Sequence, residues 1–283
     1  MPAHRQFNPL TLAGQTLALS PATLQAWLRT DWTGEVYDDS SPTGKSSYVM
    51  ARPGVALVSI CGAIGFGPYA WGLTYDDIEA AIAQPLQDLS VRHIVVRAEG
   101  PGGMVPGLLQ STARIRRMAA QRKVPITVHT SGQCCSAWAF LASTLACNGG
   151  QWVADPTASV GNMGLYQVLA FTGKMLEDVG IQIVYVSAGA HKVDLFGELP
   201  PSSDALARLQ SQIDELYGLL CADAGQGLAL RRGISPAEAT ALIRAQESRT
   251  YIGNQEAIDA GVIDRVAFLD TILDEAAASG GII

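Results

Sequence analysis

Residues 131–140 read SGQCCSAWAF, and this stretch decides how the chain around it folds. The residues before it, 124–129 (VPITVH), form a short apolar run typical of a buried strand. The residues after it, 137–147 (AWAFLASTLAC), predict a buried helix. Ser136 then lies at a strand-to-helix corner, where the free N–H groups of the first helical turn favour negative charge. Serine there is a helix N-cap or a nucleophile, and this stretch alone favours the cap.

Strand and helix patterns alternate around that corner. Further strands are expected at 54–60, 91–96, 151–154 and 181–186, and further helices at 74–83, 105–120 and 173–179. This alternation predicts right-handed βαβ crossovers and a mostly parallel sheet, which is the α/β class. From Ser203 onward the patterns are helical only.

The chain is therefore expected to have three parts. An N-terminal appendage and linker would cover residues 1–50, including a helix after Ser20 and a polar linker at 38–47. The catalytic core would cover 51–200, and 201–283 would be a C-terminal helical part of the same domain.

Composition excludes some classes of function. A net charge of −7 argues against a broad nucleic-acid surface. Five cysteines without a CxxC pair or a secretory leader indicate free thiols in a reducing compartment, with no metal site. Residues 124–154 contain no charged side chain, but polar residues interrupt the run, which favours a buried core segment over a membrane span. We expect a cytoplasmic protein.

Two more segments carry candidate chemistry. Glu99-Gly-Pro-Gly-Gly103 follows a predicted strand, and a glycine turn there exposes backbone N–H groups that can form an oxyanion hole. Lys192 follows the predicted strand at 181–186, where burial would lower the pKa of its amine and allow it to act as a general base.

Other assignments stay open on the residues alone. His129 or His191 could complete a serine–histidine arrangement with Ser136. Cys134 or Cys135 could be the nucleophile, although small buried residues are the commoner role for cysteine.

The order of these motifs resembles the S49 peptidases, the signal peptide peptidase family. The shared features are the PGG turn, the Ser136-Ala137 helix start, VGxxG at 160–164, GxxK at 189–192 and the tail RTYIGNQEAIDAGVID at 249–264. The resemblance covers about residues 53–268 and implies a ClpP/crotonase-like fold.

The resemblance also implies roles for particular residues. Ser136 matches the family nucleophile and Lys192 its general base. Gly102 and Gly103 match the oxyanion turn, and the N–H of Ala137 is the expected second donor. Asn162 stands where the family usually has serine, and its amide oxygen is expected to support Lys192.

The resulting expectation is a serine endopeptidase with a Ser-Lys dyad that acts through an acyl-enzyme and needs no cofactor or metal. Its partners would be a protein or peptide substrate and further copies of itself in a ring, without nucleic acid or a membrane span. The chain looks more like the phage or prophage S49 proteases that mature capsids, and this resemblance implies capsid or scaffold substrates in the host cytoplasm or procapsid. The alternatives are an acyl-CoA hydratase or isomerase of the crotonase fold, with Glu99 as its acidic residue, and a non-catalytic capsid assembly or scaffold protein.

Overall fold

The computed structural model describes residues 16–19, 48–65, 72–198 and 200–279. The expected helix after Ser20 and the expected linker at 38–47 lie outside these ranges. The strands are β1 Thr16–Leu19, β2 Val49–Arg52, β3 Val55–Cys61, β4 Ile64–Gly65, β5 Leu73–Thr74, β6 His93–Glu99, β7 Gly102–Met104, β8 Ile126–Thr130, β9 Gln133–Cys135, β10 Trp152–Ala154, β11 Ser159–Gly161, β12 Tyr166–Gln167, β13 Thr250–Ile252 and β14 Arg265–Val266. The helices are α1 Tyr75–Gln87, α2 Leu108–Arg122, α3 Ala137–Leu145, α4 Gly173–Asp178, α5 Ser203–Arg232, α6 Pro236–Ala245, α7 Gln255–Asp259 and α8 Leu269–Ala278.

The central sheet has the strand order β14-β10-β8-β6-β3-β2. Its strands pair in parallel, except that β2 runs antiparallel to β3 at one edge. The strands β3, β6 and β8 are rich in Val and Ile, which suit a pleated surface that is covered on both faces. The predicted α/β class with a mostly parallel sheet is confirmed.

Local signals place several helices where the sequence predicts them. Thr74 caps α1 in a reciprocal capping box with Asp77, and Ser235 caps α6 ahead of Pro236 at its first turn. In α3 every residue is buried, so this helix is apolar on all sides and lies inside the molecule.

The long helix α5 packs against α3 and α6. A buried ion pair fixes its C-terminal end, since Arg231 Nε lies 2.6 Å from Asp264 Oδ2 and that oxygen also accepts the Trp152 N–H at 2.8 Å. Arg231 additionally donates to the Ser143 carbonyl at the end of α3. Because a buried charge is stable only when it is paired, this cluster holds α5 against the core.

Two smaller sheets adjoin the central one. One has the order β12-β1-β7-β4-β5 and the other the order β13-β11-β9. Strand β1, in the segment expected to be an appendage, lies between β7 and β12 and runs antiparallel to both.

The prediction of a strand at 181–186 is wrong. These residues form neither strand nor helix, and they are exposed or half-buried. Val186 is 97% exposed. The Ile and Val residues have the right propensity, but a strand also needs a neighbouring strand for its backbone hydrogen bonds. None of the three described sheets provides one.

Candidate active site

Ser136 occupies the single residue between β9 and α3. Its backbone has φ 60° and ψ −119°, its N–H donates to the Gly161 carbonyl at 2.8 Å, and its carbonyl accepts the Phe140 N–H at 3.0 Å. Although Ser136 stands at the N-cap position, its side chain makes no capping hydrogen bond. The interpretation of Ser136 as a helix cap is therefore wrong.

The backbone of Ser136 is strained. A positive φ is uncommon for residues other than glycine, and such conformations cost about 1–3 kcal/mol each. The sharp strand-to-helix turn known as the nucleophile elbow places a serine in this kind of strained corner, with its hydroxyl free of the helix. An observed outlier of this kind points to a functional serine.

The glycine turn lies directly beside the residues that lead into Ser136. Gly100 donates to the Gln133 carbonyl at 2.5 Å, and its own carbonyl accepts the Cys135 N–H at 3.1 Å. A Cβ atom at Gly100 would lie 2.2 Å from Trp138 Nε1 and 2.4 Å from the Gly62 carbonyl oxygen, so a larger residue does not fit. The structure thus brings the predicted oxyanion turn and the predicted nucleophile together.

The two glycines that follow are buried in β7. Gly102 has φ 113°, which favours glycine, and Gly103 pairs with Ile64 of β4. A Cβ at Gly103 would lie 2.2 Å from the Ile64 carbonyl oxygen. The roles of Gly102, Gly103 and the Ala137 N–H as oxyanion donors stay predictions, although the turn that carries the two glycines is in place.

Glu99 has a function that the sequence does not reveal. Its carboxylate accepts the backbone N–H groups of Ser131 at 2.7 Å, Gln133 at 2.9 Å and Gly132 at 3.0 Å. A carboxylate with three such donors fixes the loop between β8 and β9, and with it the approach to Ser136. The one sequence signal is its place at the end of a strand beside the glycine turn.

Asn162 lies next to the Ser136 corner on the opposite side. It follows β11, whose Gly161 pairs with Cys135, and it has φ 53°. Its N–H donates to the Arg249 carbonyl at 2.7 Å and its Nδ2 to the Ser248 carbonyl at 2.9 Å. In the described residues nothing donates to its amide oxygen, so support of Lys192 by that oxygen stays a prediction.

The structure does not bring Lys192 into contact with Ser136. Lys192 lies in an exposed turn, where its N–H donates to the Gly189 carbonyl at 3.2 Å. The expected burial behind a strand is wrong because that strand is absent. Over the described ranges the Ser136 hydroxyl has no side-chain partner at all.

The histidines have other partners. The fully buried His129 donates through Nε2 to the Ala267 carbonyl at 3.1 Å, and Asp155 Oδ1 lies 3.1 Å from the same nitrogen in poorer hydrogen-bond geometry. The exposed His191 pairs with Asp194 at 3.0 Å. In the described part of the chain neither ring contacts Ser136.

The adjacent cysteines are poor candidates for a nucleophile. Cys134 and Cys135 are buried, and burial raises the pKa of both thiols above the ordinary range. A thiol is nucleophilic as the thiolate, so both are unreactive near neutral pH. The sequence-based preference for small buried residues agrees with this environment.

No helix in the described ranges is long and apolar enough to cross a bilayer. These ranges also contain no group of three or more His, Cys, Asp or Glu side chains that could hold a metal ion.

The fold and the corner define a class of protein, an α/β protein with a strained serine between a strand and a buried helix. Comparison with known proteins identifies the family. The model of peptidase family S49 matches residues 119–282, which is more than half of the chain. The chain belongs to peptidase family S49, as the motif resemblance implied.

Two similar curated proteins come from bacteriophages. The chain is 28% identical over 236 residues to the capsid assembly protease C of Escherichia phage lambda, covering 81% of this chain and 50% of that protein. It is 26% identical over 220 residues to the head-tail preconnector protein GP5 of Enterobacteria phage P21, covering 75% of this chain and 40% of that protein. The chain thus spans about half the length, or less, of the curated relatives it matches. These names agree with the expected phage capsid maturation branch.

One solved structure is also similar. It is the 1510-N membrane-bound stomatin-specific protease, a lysine-to-alanine mutant in complex with a substrate peptide. The two share 17% sequence identity with a TM-score of 0.44, over 80% of this chain and 81% of that one.

Proposed function

We propose that this chain is a serine endopeptidase in which Ser136 is the nucleophile. The observation that carries the proposal is the strained backbone of Ser136, between a strand and the N-terminus of a buried helix, with its hydroxyl released from capping. The adjacent glycine turn and membership of peptidase family S49 support it.

The chemistry follows from these positions. The Ser136 oxygen attacks the scissile carbonyl carbon, and its proton passes to a general base. N–H groups at Gly102 or Gly103 and at Ala137 stabilise the negative charge that develops on the carbonyl oxygen; one such donor contributes ~3–4 kcal/mol in a related case. The C–N bond breaks, the leaving amine takes the proton, and water hydrolyses the acyl-enzyme.

We assign the general base to Lys192, on the motif match and not on its position in the structure. The exposed turn that carries it must approach Ser136 for proton transfer, because a base acts at about 2.6–3.2 Å. Lys192→Met and Lys192→Arg are both expected to lose acylation, since a guanidinium keeps its proton in the working range. If His129→Ala or His191→Ala is inactive while Lys192→Met still turns over, a serine–histidine mechanism replaces this one.

The substrate class we propose is phage capsid or scaffold protein. The support is the pair of relatives named as a capsid assembly protease and a head-tail preconnector. On this proposal the chain works on protein partners in a host cytoplasm or procapsid.

One alternative enzyme is disfavoured by a particular contact. A crotonase-type hydratase uses carboxylates as acid and base, and Glu99 is the acidic residue beside the glycine turn. Its oxygens are already engaged by three backbone N–H groups, so that carboxylate is a structural clamp.

The test is covalent labelling with a fluorophosphonate, followed by mass-spectrometric mapping of the modified residue. We expect the label on Ser136, and we expect Ser136→Ala to lose both labelling and proteolysis while keeping its fold. Ser131→Ala is the matched control, because this serine lies in the same loop and contributes its backbone N–H to Glu99. A non-catalytic assembly protein would remain unlabelled, and wild-type turnover by Ser136→Ala would refute the assignment.

A further inference from the structure

Strand β1 fills a space that is one strand wide. Its neighbours are β7 on one side and β12 on the other, and among the described residues β12 joins this sheet through β1 alone. Strands in a sheet lie about 4.8 Å apart, so removing β1 would leave a slot roughly 10 Å wide between two strand edges. Both edges would then offer unpaired N–H and C=O groups to any extended chain.

The walls of this slot belong to the candidate active site. Strand β7 carries Gly102 and Gly103, and its opposite edge is already paired with β4. Strand β12 begins four residues after Asn162. An extended peptide in the slot therefore lies between the predicted oxyanion turn and the segment that follows the Ser136 corner.

The direction of β1 is that of a peptide led toward Ser136. Leu17 pairs with Met104, Ala18 with Gly103 and Leu19 with Gly102, so the carboxyl end of β1 points to the start of β7. Just before β7 is Gly100, which is hydrogen-bonded to Gln133 and Cys135. A segment in this register presents the peptide bonds at its carboxyl end to the residues around the nucleophile.

We propose that Thr16–Leu19 is an intramolecular occupant of the peptide-binding slot and holds the chain in a self-inhibited state. The inhibition rests on the proposed peptidase function, whereas the occupation rests on strand pairing alone. Pairing through the backbone tolerates many sequences, so the ligand class is an extended, uncharged peptide segment.

On this proposal, β1 and a separate substrate peptide compete for the same slot. A tethered strand has an effective concentration in the millimolar range, which a separate peptide must exceed in order to displace it. If the slot is free in only a fraction of molecules, apparent substrate affinity falls by that fraction. Weakening the β1 pairing raises apparent activity at limiting substrate without changing any catalytic group.

The variants are full-length and directed at the backbone. Ala18→Pro removes an N–H from the middle of β1 and should free the slot. Ala13→Pro is the matched control, since it is the same substitution three residues before β1. A second variant replaces residues 16–19 by four glycines, which keeps the chain length and lowers strand propensity, so that the test survives if Ala18→Pro fails to fold.

Two measurements distinguish occupation of the slot by β1 from the proposed peptidase activity. The first is hydrolysis of an unfolded protein substrate at limiting concentration, which should rise roughly tenfold in Ala18→Pro, equivalent to about 1.4 kcal/mol of competition. The second is hydrogen exchange at the amides of Gly102–Met104 and Tyr166–Gln167, which needs no activity. Faster exchange in Ala18→Pro than in Ala13→Pro supports occupation of the slot by β1, whether or not the variants are active. If every variant is inactive, the proposed peptidase function fails, and self-inhibition fails with it.

A peptide in trans completes the experiment. The synthetic peptide GQTLALS, residues 14–20, should restore slow exchange in Ala18→Pro, while the same peptide with proline in place of Ala18 should not. Equal exchange and equal hydrolysis in wild type, Ala18→Pro and the four-glycine variant would overturn the proposal. Active variants with unchanged hydrolysis but faster exchange would overturn self-inhibition and leave β1 as a structural strand.

Discussion

At the residue scale, Ser136 shows the conflict between function and stability. Its φ of 60° and ψ of −119° suit glycine better than any residue with a Cβ. Serine is retained there at a conformational cost, which is understandable if the hydroxyl is needed at that corner.

Ser136→Gly should therefore be more stable than Ser136→Ala by about 1 kcal/mol, because both variants lack the hydroxyl and only alanine keeps the strain. The measurement is urea unfolding of the two variants, with proteolysis assayed in parallel and expected to be absent in both. Equal stability, or a more stable alanine variant, would show that the corner stores no strain and would remove the main support for a functional serine.

The buried His93 makes the stability of the core depend on pH. Its Nε2 lies 2.9 Å from Thr127 Oγ1, its Nδ1 is buried without a partner in the described residues, and burial lowers its pKa to about 4. An unfolded histidine has a pKa of about 6.5, so below that pH the unfolded state binds the proton more readily. The contribution of neutral His93 is complete above pH 6.5 and is lost as the pH falls towards 4.

We expect the free energy of unfolding to drop by roughly 3 kcal/mol between pH 6.5 and 4 because of this residue, at about 1.36 kcal/mol per pKa unit. The slope should be smaller in His93→Gln. An unchanged slope in His93→Gln would assign the acid sensitivity to other groups.

The residue-level predictions succeeded where a local rule was sufficient. A serine between an apolar strand and an apolar helix placed Ser136 at the corner, and a PGG turn placed the flexible backbone beside it. Glu99 was missed as a loop clamp because its three donors are 32 to 34 residues away in sequence. Contacts at such separation depend on the fold and not on spacing.

At the scale of elements, the α3–α5 contact depends on glycine. A Cβ at Gly227 would lie 2.2 Å from the Ser143 carbonyl oxygen and 3.0 Å from Thr144 Cα, and both are atoms of α3 that cannot easily move. The hydroxyl of Ser143 donates to the Ala224 carbonyl at 3.1 Å, which shows how closely the two helices approach.

Gly227→Ala is expected to destabilise the chain by about 1–3 kcal/mol through overpacking, in spite of the better helix propensity of alanine. Gly218→Ala is the matched control on the same helix. Its Cβ would meet only the flexible end of Arg244 at 3.0 Å, so propensity should dominate and stabilise by up to about 1 kcal/mol. The measurement is the free energy of unfolding of both variants by chemical denaturation. A change of the same sign in both would contradict the packing argument.

Elements were predictable where one segment carries its own signal. Strands β3, β6 and β8 and helices α1 to α3 were anticipated to within a few residues from periodicity and caps. Residues 181–186 had the same composition without a partner strand, and β1 has four residues that gain their place from β7 and β12. Strand pairing is set by topology. Propensity alone therefore predicts a strand at 181–186 that the structure does not contain, and it misses β1.

At the scale of the molecule, the apolar run at 124–154 does not provide a surface for self-association. Most of residues 124–154 are buried inside the chain and offer little surface to a second copy. Many of the exposed apolar side chains in the described residues lie in the segment that carries Lys192. They include Met175, Val179, Ile181, Val184, Val186 and Phe196. A cluster of exposed apolar side chains within one segment is typical of an interaction surface.

We therefore keep the prediction of a homo-oligomer and place its interface on residues 171–196. Val184 is 77% and Val186 97% exposed, and a strand-forming sequence without a partner strand can gain one from a neighbouring copy. Val184→Lys and Val186→Lys should lower the mass measured by light scattering at micromolar concentration. Leu89→Lys is the control, because Leu89 is 82% exposed outside this segment and should leave the mass unchanged.

Since Lys192 follows directly, loss of the oligomer should also lower proteolysis if assembly brings this turn to Ser136. A monomeric wild type would refute the interface, and an active monomer would show that one chain completes the site.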